Sequence, residues 1–348
     1  MRAAVADGVF PGGVLLVAKH RQVMFHEAFG YANIYQKRPM NTETIFDLAS
    51  LTKPLATTPA VMKLMATSAL GLQDRLGSLL PELKATPKSD ITIEHLLAHR
   101  SGMPAYRPFY QRLQSTAPKE RRERLNRMLC ETPLTYPVGG KTVYSDLGFM
   151  MLRWVIERIG GKRLDHFVQA EIFGPIGLTN LFFIDSNKQV IEKKFAATEV
   201  CAWRNTLVEG VVHDENAFAV GGVDGHAGLF GSAAQLHELL CEFLALYHGD
   251  TACGVLSPAI VRRFLNYGRK TERALGFDRP SLQGSSSGSH FSRNSVGHLG
   301  FTGVSFWMDP DRSVIIILLT NRIHPTRHNE KIKAFRPVLH DEIMSRLK

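Results

Sequence analysis

The chain has 348 residues, 44% of them hydrophobic and 21% charged, with a formal net charge of +10. That length buries a large core in one big domain or two interleaved ones, and no apolar run nears the roughly 18 residues of a membrane span. The positive charge favours anionic partners, yet the densest basic stretch, 119–127, alternates with Glu120 and Glu123 like a solvated helix face, and no recognition motif for nucleic acid accompanies it.

Residues 3–7 followed by Gly8 read as the last turn of a helix with a glycine cap. The N-terminal residues lack the apolar segment of a secretory leader, so the chain is expected to be cytoplasmic unless a leader was removed, and then periplasmic or extracellular. Residues 14–18 and 23–29 are apolar, β-branched runs that predict a strand hairpin around 19–22. Residues 45–49 lead into Ser50, and a helical pattern follows over 51–65 with Pro54 in its first turn, where a missing N–H costs little. A helix is predicted over 91–99, with Thr92 and Glu94 near its start and Ser101-Gly102 as its stop, and another over 146–159, ended by Gly160-Gly161. Beyond 220 the texture turns to glycine: Gly221, Gly222, Gly225, Gly228 and Gly231 precede a predicted helix over 235–247. Residues 284–289 form a low-complexity Gly/Ser loop, read as mobile. Strands at 303–308 and 313–320 flank a turn at 309–312, and a closing helix over 332–347 carries Pro337 early.

This order predicts an α+β fold: a central antiparallel sheet built from both ends of the chain, helices on its two faces, and a helical lobe. Residues 1–60 and 200–348 are assigned to the sheet domain and 61–199 to the inserted helical one, with a cleft between them. Four cysteines, at 130, 201, 241 and 253, include no C-x-x-C pair and read as free buried thiols, not a disulfide framework or zinc site.

The chemistry begins at Ser50-Leu51-Thr52-Lys53. Residues three apart share a helix face, so the lysine amine falls within reach of the serine hydroxyl. A serine hydroxyl is a weak nucleophile until a base takes its proton, and a lysine serves as that base only where its pKa is lowered. The helix N-terminus adds partial positive charge for a developing oxyanion. Alone the motif is weak, since a capping serine with an exposed lysine has the same spacing.

Its context is specific. The segment Phe46-Asp47-Leu48-Ala49-Ser50-Leu51-Thr52-Lys53-Pro54, then Pro137-Val138-Gly139 before Tyr144-Ser145-Asp146, then Gly297-His298-Leu299-Gly300-Phe301-Thr302-Gly303, stand in order along the chain. Together with 96–103 and 174–179 they resemble the serine β-lactamase-related family of class C β-lactamases and D-alanyl-D-alanine peptidases. The resemblance implies the β-lactamase/transpeptidase-like fold and an acyl-enzyme on Ser50. It further implies proton transfer shared by Lys53 and Tyr144, an oxyanion hole from the N–H groups of Ser50 and Phe301, and substrate contacts from Asp146, His298 and Gly300. Asp146 departs from the family's asparagine. A carboxylate only accepts hydrogen bonds, and beside Lys53 it favours the ammonium and weakens the base. His298 stands where most β-lactamases have lysine, which removes a permanent cation for a substrate carboxylate. Residues 212–217, 221–230 and 320–325 resemble a subgroup of cell-wall hydrolases, including a D,D-carboxypeptidase. There His213 and Asp214 either line the cleft and bind substrate or brace a loop, and His226 is read as structural.

The expected function is a serine hydrolase acting on a small-molecule or peptide substrate, of D-amino-acid or ester type. The alternatives are a β-lactamase and a non-catalytic cell-wall-binding scaffold. No metal or cofactor and no nucleic acid is expected, and the oligomeric state is left open. Residues 284–288 match G-x-S-x-G by letter, but that elbow needs a strand before it and a helix after it. The pairs His95/His99 and His324/His328 lack the glutamate of a zinc-protease helix, and the glycines at 221–231 follow no strand that would make them a phosphate loop.

Overall fold

The computed structural model describes residues 1–186, 194–250, 254–268 and 271–347. Its strands are β1 (Gly12–Lys19), β2 (Gln22–Asn33), β3 (Arg38–Pro39), β4 (Phe46–Asp47), β5 (Leu181–Phe183), β6 (Val200–Cys201), β7 (Thr206–Leu207), β8 (Leu229–Gly231), β9 (Val296–Leu299), β10 (Ser305–Asp309) and β11 (Val314–Thr320). Six of them form an antiparallel sheet in the order β3-β2-β1-β11-β10-β9. The N- and C-terminal parts of the chain meet at its centre, where Gly13 pairs with Thr320 and Lys19 with Val314.

Alternation along the strands decides what covers each face. Val14, Leu16 and Ala18 of β1 with Ile315, Ile317 and Leu319 of β11 join the main core, which contains residues of the helix Ala233–His248. Leu15, Val17, Val314, Ile316 and Trp307 point the other way, onto Leu339, Ile343 and Met344 of the closing helix Ile332–Arg346. A central strand covered on both faces reads as a continuous apolar run, which is why all seven residues of β11 are buried. The architecture is therefore α+β with helices on both faces of the sheet.

Between β4 and β5 the chain is helical, and the helix Asp146–Gly160 is its spine, buried from Leu147 to Ile156. Leu147, Met150 and Val155 belong to the same core as Val14 and Leu319. One core thus runs from the sheet into the helical part.

Several elements differ in extent from the sequence reading. The helix predicted over 91–99 is Ile93–Leu97, because Thr92 and His95 close a reciprocal cap (Thr92 Oγ1 accepts from His95 N at 3.2 Å, His95 Nδ1 from Thr92 N at 3.2 Å) and His99 turns to positive φ. Strands β10 and β11 start later than expected, because Gly303 and Ser313 adopt positive φ in the turns that precede them. At the N-terminus the short helix Arg2–Ala6 is followed by Gly8 at φ +65, whose N–H bonds Val5 O at 3.1 Å while that of Val9 bonds Ala4 O at 2.8 Å. In the Gly/Ser loop, Ser289 is hydrogen-bonded to Asp341. Cys201 and Cys241 are free and buried, whereas Cys130 is only half-buried; Cys253 lies outside the described residues. No helix among the described residues is long and apolar enough to cross a membrane.

Candidate active site

The second sheet, β4-β8-β5, delivers the chain to Ser50. Asp47 pairs with Phe230 across it, and Leu48 N bonds Leu229 O at 2.9 Å. A tight turn, Ala49–Leu51, follows with Ala49 at φ +45. Asp47 holds this strained turn: one carboxylate oxygen accepts from Ala49 N at 2.8 Å and the other from His213 N at 2.6 Å. Burial pushes the Asp47 pKa above its ordinary value, against these hydrogen bonds. A wide turn, Lys53–Thr57, carrying Pro54, then enters the helix Thr58–Ala66. Residues 50 and 53 fall on one face of this entry, as their spacing predicts.

The Lys53 side chain is fully buried; its Nζ donates to Ser50 Oγ at 3.0 Å and to the carbonyl of His226 at 3.1 Å, and it forms an ion pair with Asp146 Oδ1 at 2.8 Å. Tyr144 reaches both Ser50 and Lys53 with its hydroxyl, and its ring centroid lies 4.8 Å from Lys53 Nζ. Burial alone would lower the Lys53 pKa, but the Asp146 carboxylate and Tyr144 outweigh it and raise it. Burial raises the Tyr144 pKa, so the phenol keeps its proton. At rest the lysine is an ammonium donating to Ser50 Oγ.

Tyr144 and Asp146 straddle the N-cap of the spine helix. Ser145 Oγ accepts from Gly148 N at 3.3 Å and donates to Pro104 O at 2.7 Å. Ser145 N donates to Nδ1 of buried His99 at 3.0 Å, and the His99 ring lies 4.6 Å from that of Tyr144. His99, considered above only as half of a metal pair, thus fixes the tyrosine. Behind Lys53, Gly225 lets its loop press on the spine helix, since a Cβ there would stand 2.1 Å from Phe149 O. This is a packing role for the glycine cluster.

The next residue, His226, carries the carbonyl that Lys53 uses. Its ring lies between Asp214 Oδ1 (2.9 Å from Nε2) and Asp224 Oδ1 (3.9 Å from Nδ1). Burial opposes its charge, but the two carboxylates raise its pKa to about 10. Asp224 also meets Arg153 of the spine helix at 3.3 Å, with both side chains buried. Asp214 further caps the helix Glu215–Ala219 through Ala217 N at 2.8 Å. His213 is bound to Glu199 Oε2 at 2.8 Å and stacks on Phe301 at 5.6 Å, and Glu199 is gripped by Arg327 at 2.7 Å. His213 and Asp214 therefore line the cleft and brace it at once, each through a different partner.

Strand β9 forms the facing wall. His298 Nδ1 donates to Leu299 O at 2.8 Å, leaving Nε2 as a buried acceptor without a partner. Burial pushes the His298 pKa down to about 4, so the ring is neutral at pH 7. Gly300 must be glycine, because a Cβ would stand 2.4 Å from Val304 Cγ2 and 2.8 Å from Leu48 O. Thr302 Oγ1 donates to Asp47 O at 2.8 Å and joins this turn to the nucleophile turn. Arg322 holds the Phe301 carbonyl with Nε at 3.0 Å and Nη2 at 2.7 Å, while the Phe301 N–H has no acceptor among the described residues.

Ser50, Tyr144, Asp146, His213, Asp214, His298, Gly300 and Phe301 all line one cavity of about 690 Å³. Such an arrangement can acylate a serine while donors face the carbonyl oxygen. The residues missed in the sequence are Asp47, His99, Glu199, Arg327, Arg336 and the Arg273–Asp278 pair beside Tyr144. Two of them carried a signal: Asp47 lies three residues before Ser50 in the quoted motif, and His99 lies within 96–103, which also resembles the family. His324, rejected as a metal ligand, braces the sheet edge by accepting from Ile34 N at 3.1 Å and bonding Thr198 O at 2.8 Å. No cluster of metal-binding side chains occurs among the described residues.

The family model described as Beta-lactamase matches residues 1–337. The chain is 34% identical to the N-acetylmuramyl-L-alanine amidase of Bacillus subtilis (strain 168), covering 90% of this chain and 78% of the relative. It is 30% identical to the putative D-alanyl-D-alanine carboxypeptidase of Escherichia coli (strain K12), covering 91% and 80%. Among solved structures it superimposes on EstCE1, a hydrolase with promiscuous acyltransferase activity, with a TM-score of 0.73, 24% identity and 96% of each chain covered. The octameric penicillin-binding protein homologue from Pyrococcus abyssi gives a TM-score of 0.71 at 20% identity, over 97% of this chain and 75% of the other. These two structural likenesses concern the fold.

Proposed function

The chain belongs to the Beta-lactamase family, and from that premise we propose that it hydrolyses an amide bond in a peptide derived from the cell wall, through an acyl-enzyme on Ser50. The observation that carries this reading is the buried constellation in which Lys53 Nζ touches Ser50 Oγ at 3.0 Å and Asp146 Oδ1 at 2.8 Å, with Tyr144 against both.

In this mechanism Ser50 Oγ attacks the substrate carbonyl, whose oxygen is received by the N–H groups of Ser50 and Phe301. The Lys53–Asp146 pair is neutral as a whole. Substrate that covers the exposed edge of Asp146 excludes water and weakens the charge-separated form relative to amine and acid. The proton of Lys53 then passes to Asp146, and the amine takes the proton of Ser50. Tyr144 bridges Lys53 and Ser50, so it relays a proton to the leaving nitrogen. Water enters by the reverse route and releases the acyl group. His213 and Asp214 shape the wall against which the substrate lies.

The leading bond is one next to a D-amino acid, as in a carboxypeptidase. A second reading, cleavage between a muramyl lactyl group and L-alanine, is favoured by the relative at 34% identity that bears that name. β-Lactam hydrolysis is disfavoured by two replacements, Asp146 in the Tyr-x-Asn position and neutral His298. Incubation with a D-alanyl-D-alanine peptide, N-acetylmuramyl-L-alanine, p-nitrophenyl esters and nitrocefin, each against Ser50→Ala, separates these readings. Turnover of one of the two amides that vanishes in Ser50→Ala is the expected result. Turnover that survives the substitution sinks the nucleophile assignment, and failure of fluorophosphonate to label Ser50 points to a scaffold.

A further inference from the structure

Arg204 sits in the loop of the hairpin β6–β7, outside the constellation around Ser50. Its guanidinium carbon lies 4.1 Å from the ring centroid of Phe218 and 5.3 Å from that of Trp203. Its Nη1 donates to Val212 O at 2.7 Å and its Nη2 to His213 O at 2.8 Å. On the other side of the same backbone, His213 N donates to Asp47 Oδ2 at 2.6 Å. The Val212 carbonyl and the His213 N–H belong to one peptide group. That group is therefore held between a guanidinium on its oxygen and a carboxylate on its N–H.

Among the described residues, neither Asp47 nor Arg204 has an opposite charge within ion-pair distance, and Asp47 is 3% exposed. Both Asp47 oxygens accept from backbone N–H groups, of Ala49 and of His213, which is the pattern of an ionised carboxylate. A buried carboxylate with no cation near it is costly. A peptide group polarised from both ends strengthens both of its hydrogen bonds, so Arg204 serves as the counter-ion of Asp47 across one amide. Burial lowers the Arg204 pKa, and Cys201, Glu215, Asp47 and Asp214 oppose that shift. On Asp47, burial acts upward together with Asp214, while the two N–H bonds and His213 act downward. A protonated Asp47 would turn one acceptor into a donor and lose one of its two N–H bonds.

We propose that Arg204 is a positioning residue for the nucleophile turn. Through the Val212–His213 peptide it keeps Asp47 ionised. Ionised Asp47 holds Ala49 N at 2.8 Å and Ala49 at φ +45, which aims the N–H of Ser50. The proposal rests on Ser50 being the nucleophile, as argued above, and adds a residue that touches neither Ser50 nor the cavity.

The test follows the rate at which a fluorophosphonate labels Ser50 as pH is lowered. Arg204→Met is expected to move the acid limb of that profile up by about one pH unit, a roughly tenfold slower reaction on the limb. Arg204→Lys keeps the charge without the fork and should restore about half of the shift. In an Asp47→Asn background, Arg204→Met should not move the limb further. An unmoved limb in folded Arg204→Met overturns the proposal, because a loss of stability alone moves no limb. So does a full shift in the Asp47→Asn background, since the arginine would then act elsewhere. Infrared spectroscopy reads Asp47 directly, as the carboxylic-acid band that Asp47→Asn removes. That band should appear at higher pH in Arg204→Met than in the parent protein, and coincident titrations overturn the proposal. If Arg204→Met does not fold, the same readouts in Arg204→Lys decide, a smaller shift in the same direction supporting the pairing and none overturning it. If Ser50 of the parent protein is not labelled, the hydrolase reading falls, and the infrared titration still decides whether Arg204 holds the charge of Asp47.

Discussion

The two walls of the cleft handle charge differently. On the nucleophile side each ion has its counter-ion: Lys53 with Asp146, His226 with Asp214 and Asp224, Arg327 with Glu199 and Glu215. On the β9 side, Asp278 has Arg273 and Lys333 has Glu330, but His298 is neutral and the guanidinium groups of Arg322 and Arg336 donate to carbonyls alone. The first wall is complete by itself and is built to hold atoms in place. The second leaves polar atoms unpartnered, His298 Nε2 and Arg336 Nε among them. Charge pairing and unpartnered polar groups are thus carried by different parts of the chain.

The sharpest way to break the first wall is Ser50→Ala, which should lower turnover at least 10³-fold with an unchanged melting temperature; both are read from one preparation. Next, Asp224→Ala leaves Arg153 and His226 buried without a shared anion and should cost about 3–5 kcal/mol in urea unfolding. A loss below about 1 kcal/mol would mean that Glu157 and Asp214 suffice. The third probe is pH. Because folding raises the His226 pKa to about 10, the folded state holds that proton more tightly. The associated stability is complete below about pH 6.5 and drains away as pH climbs toward 10. Between pH 7 and 9 the unfolding free energy from urea titration should fall by about 2 kcal/mol, and His226→Gln should flatten that slope; parallel slopes would place the proton elsewhere. The smallest effect concerns the pair itself. Asp146→Asn removes the carboxylate that keeps Lys53 charged, and burial then favours the amine. Penicillin acylation followed by intact mass should accelerate about tenfold, close to 1.4 kcal/mol. An unaltered rate would show that the Asp146 carboxylate does not govern the lysine.

The legible part of this molecule was the part encoded at short range. Ser50 and Lys53 lie on one helix face, the alternation of β1 and β11 fixes which residues meet which helix, and the motif order named the family. Tyr144 came from that resemblance; its spacing from Ser50 says nothing of contact. What was not legible is long-range complementarity. Glu199 meets His213 14 positions along the chain but Arg327 128 positions along it, and no periodicity predicts such a meeting. Arg336 reads in the sequence as one more polar position on a closing helix, and only the packed fold reveals that it is buried with no anion. Cys130 was misjudged for the related reason that composition does not tell which side of a helix meets solvent.

The seam between β1 and β11 governs more than shape. Ser50 and Lys53 are synthesised early, but β11, which joins β1 at the centre of the six-stranded sheet, and the Thr302 hydroxyl that locks the nucleophile turn through Asp47 O, emerge more than two hundred residues later. Contacts so distant in sequence form late, after most loop-closure entropy has been lost. The nascent chain therefore carries its nucleophile without a working site, and chemistry switches on only when the two ends of the polypeptide find each other.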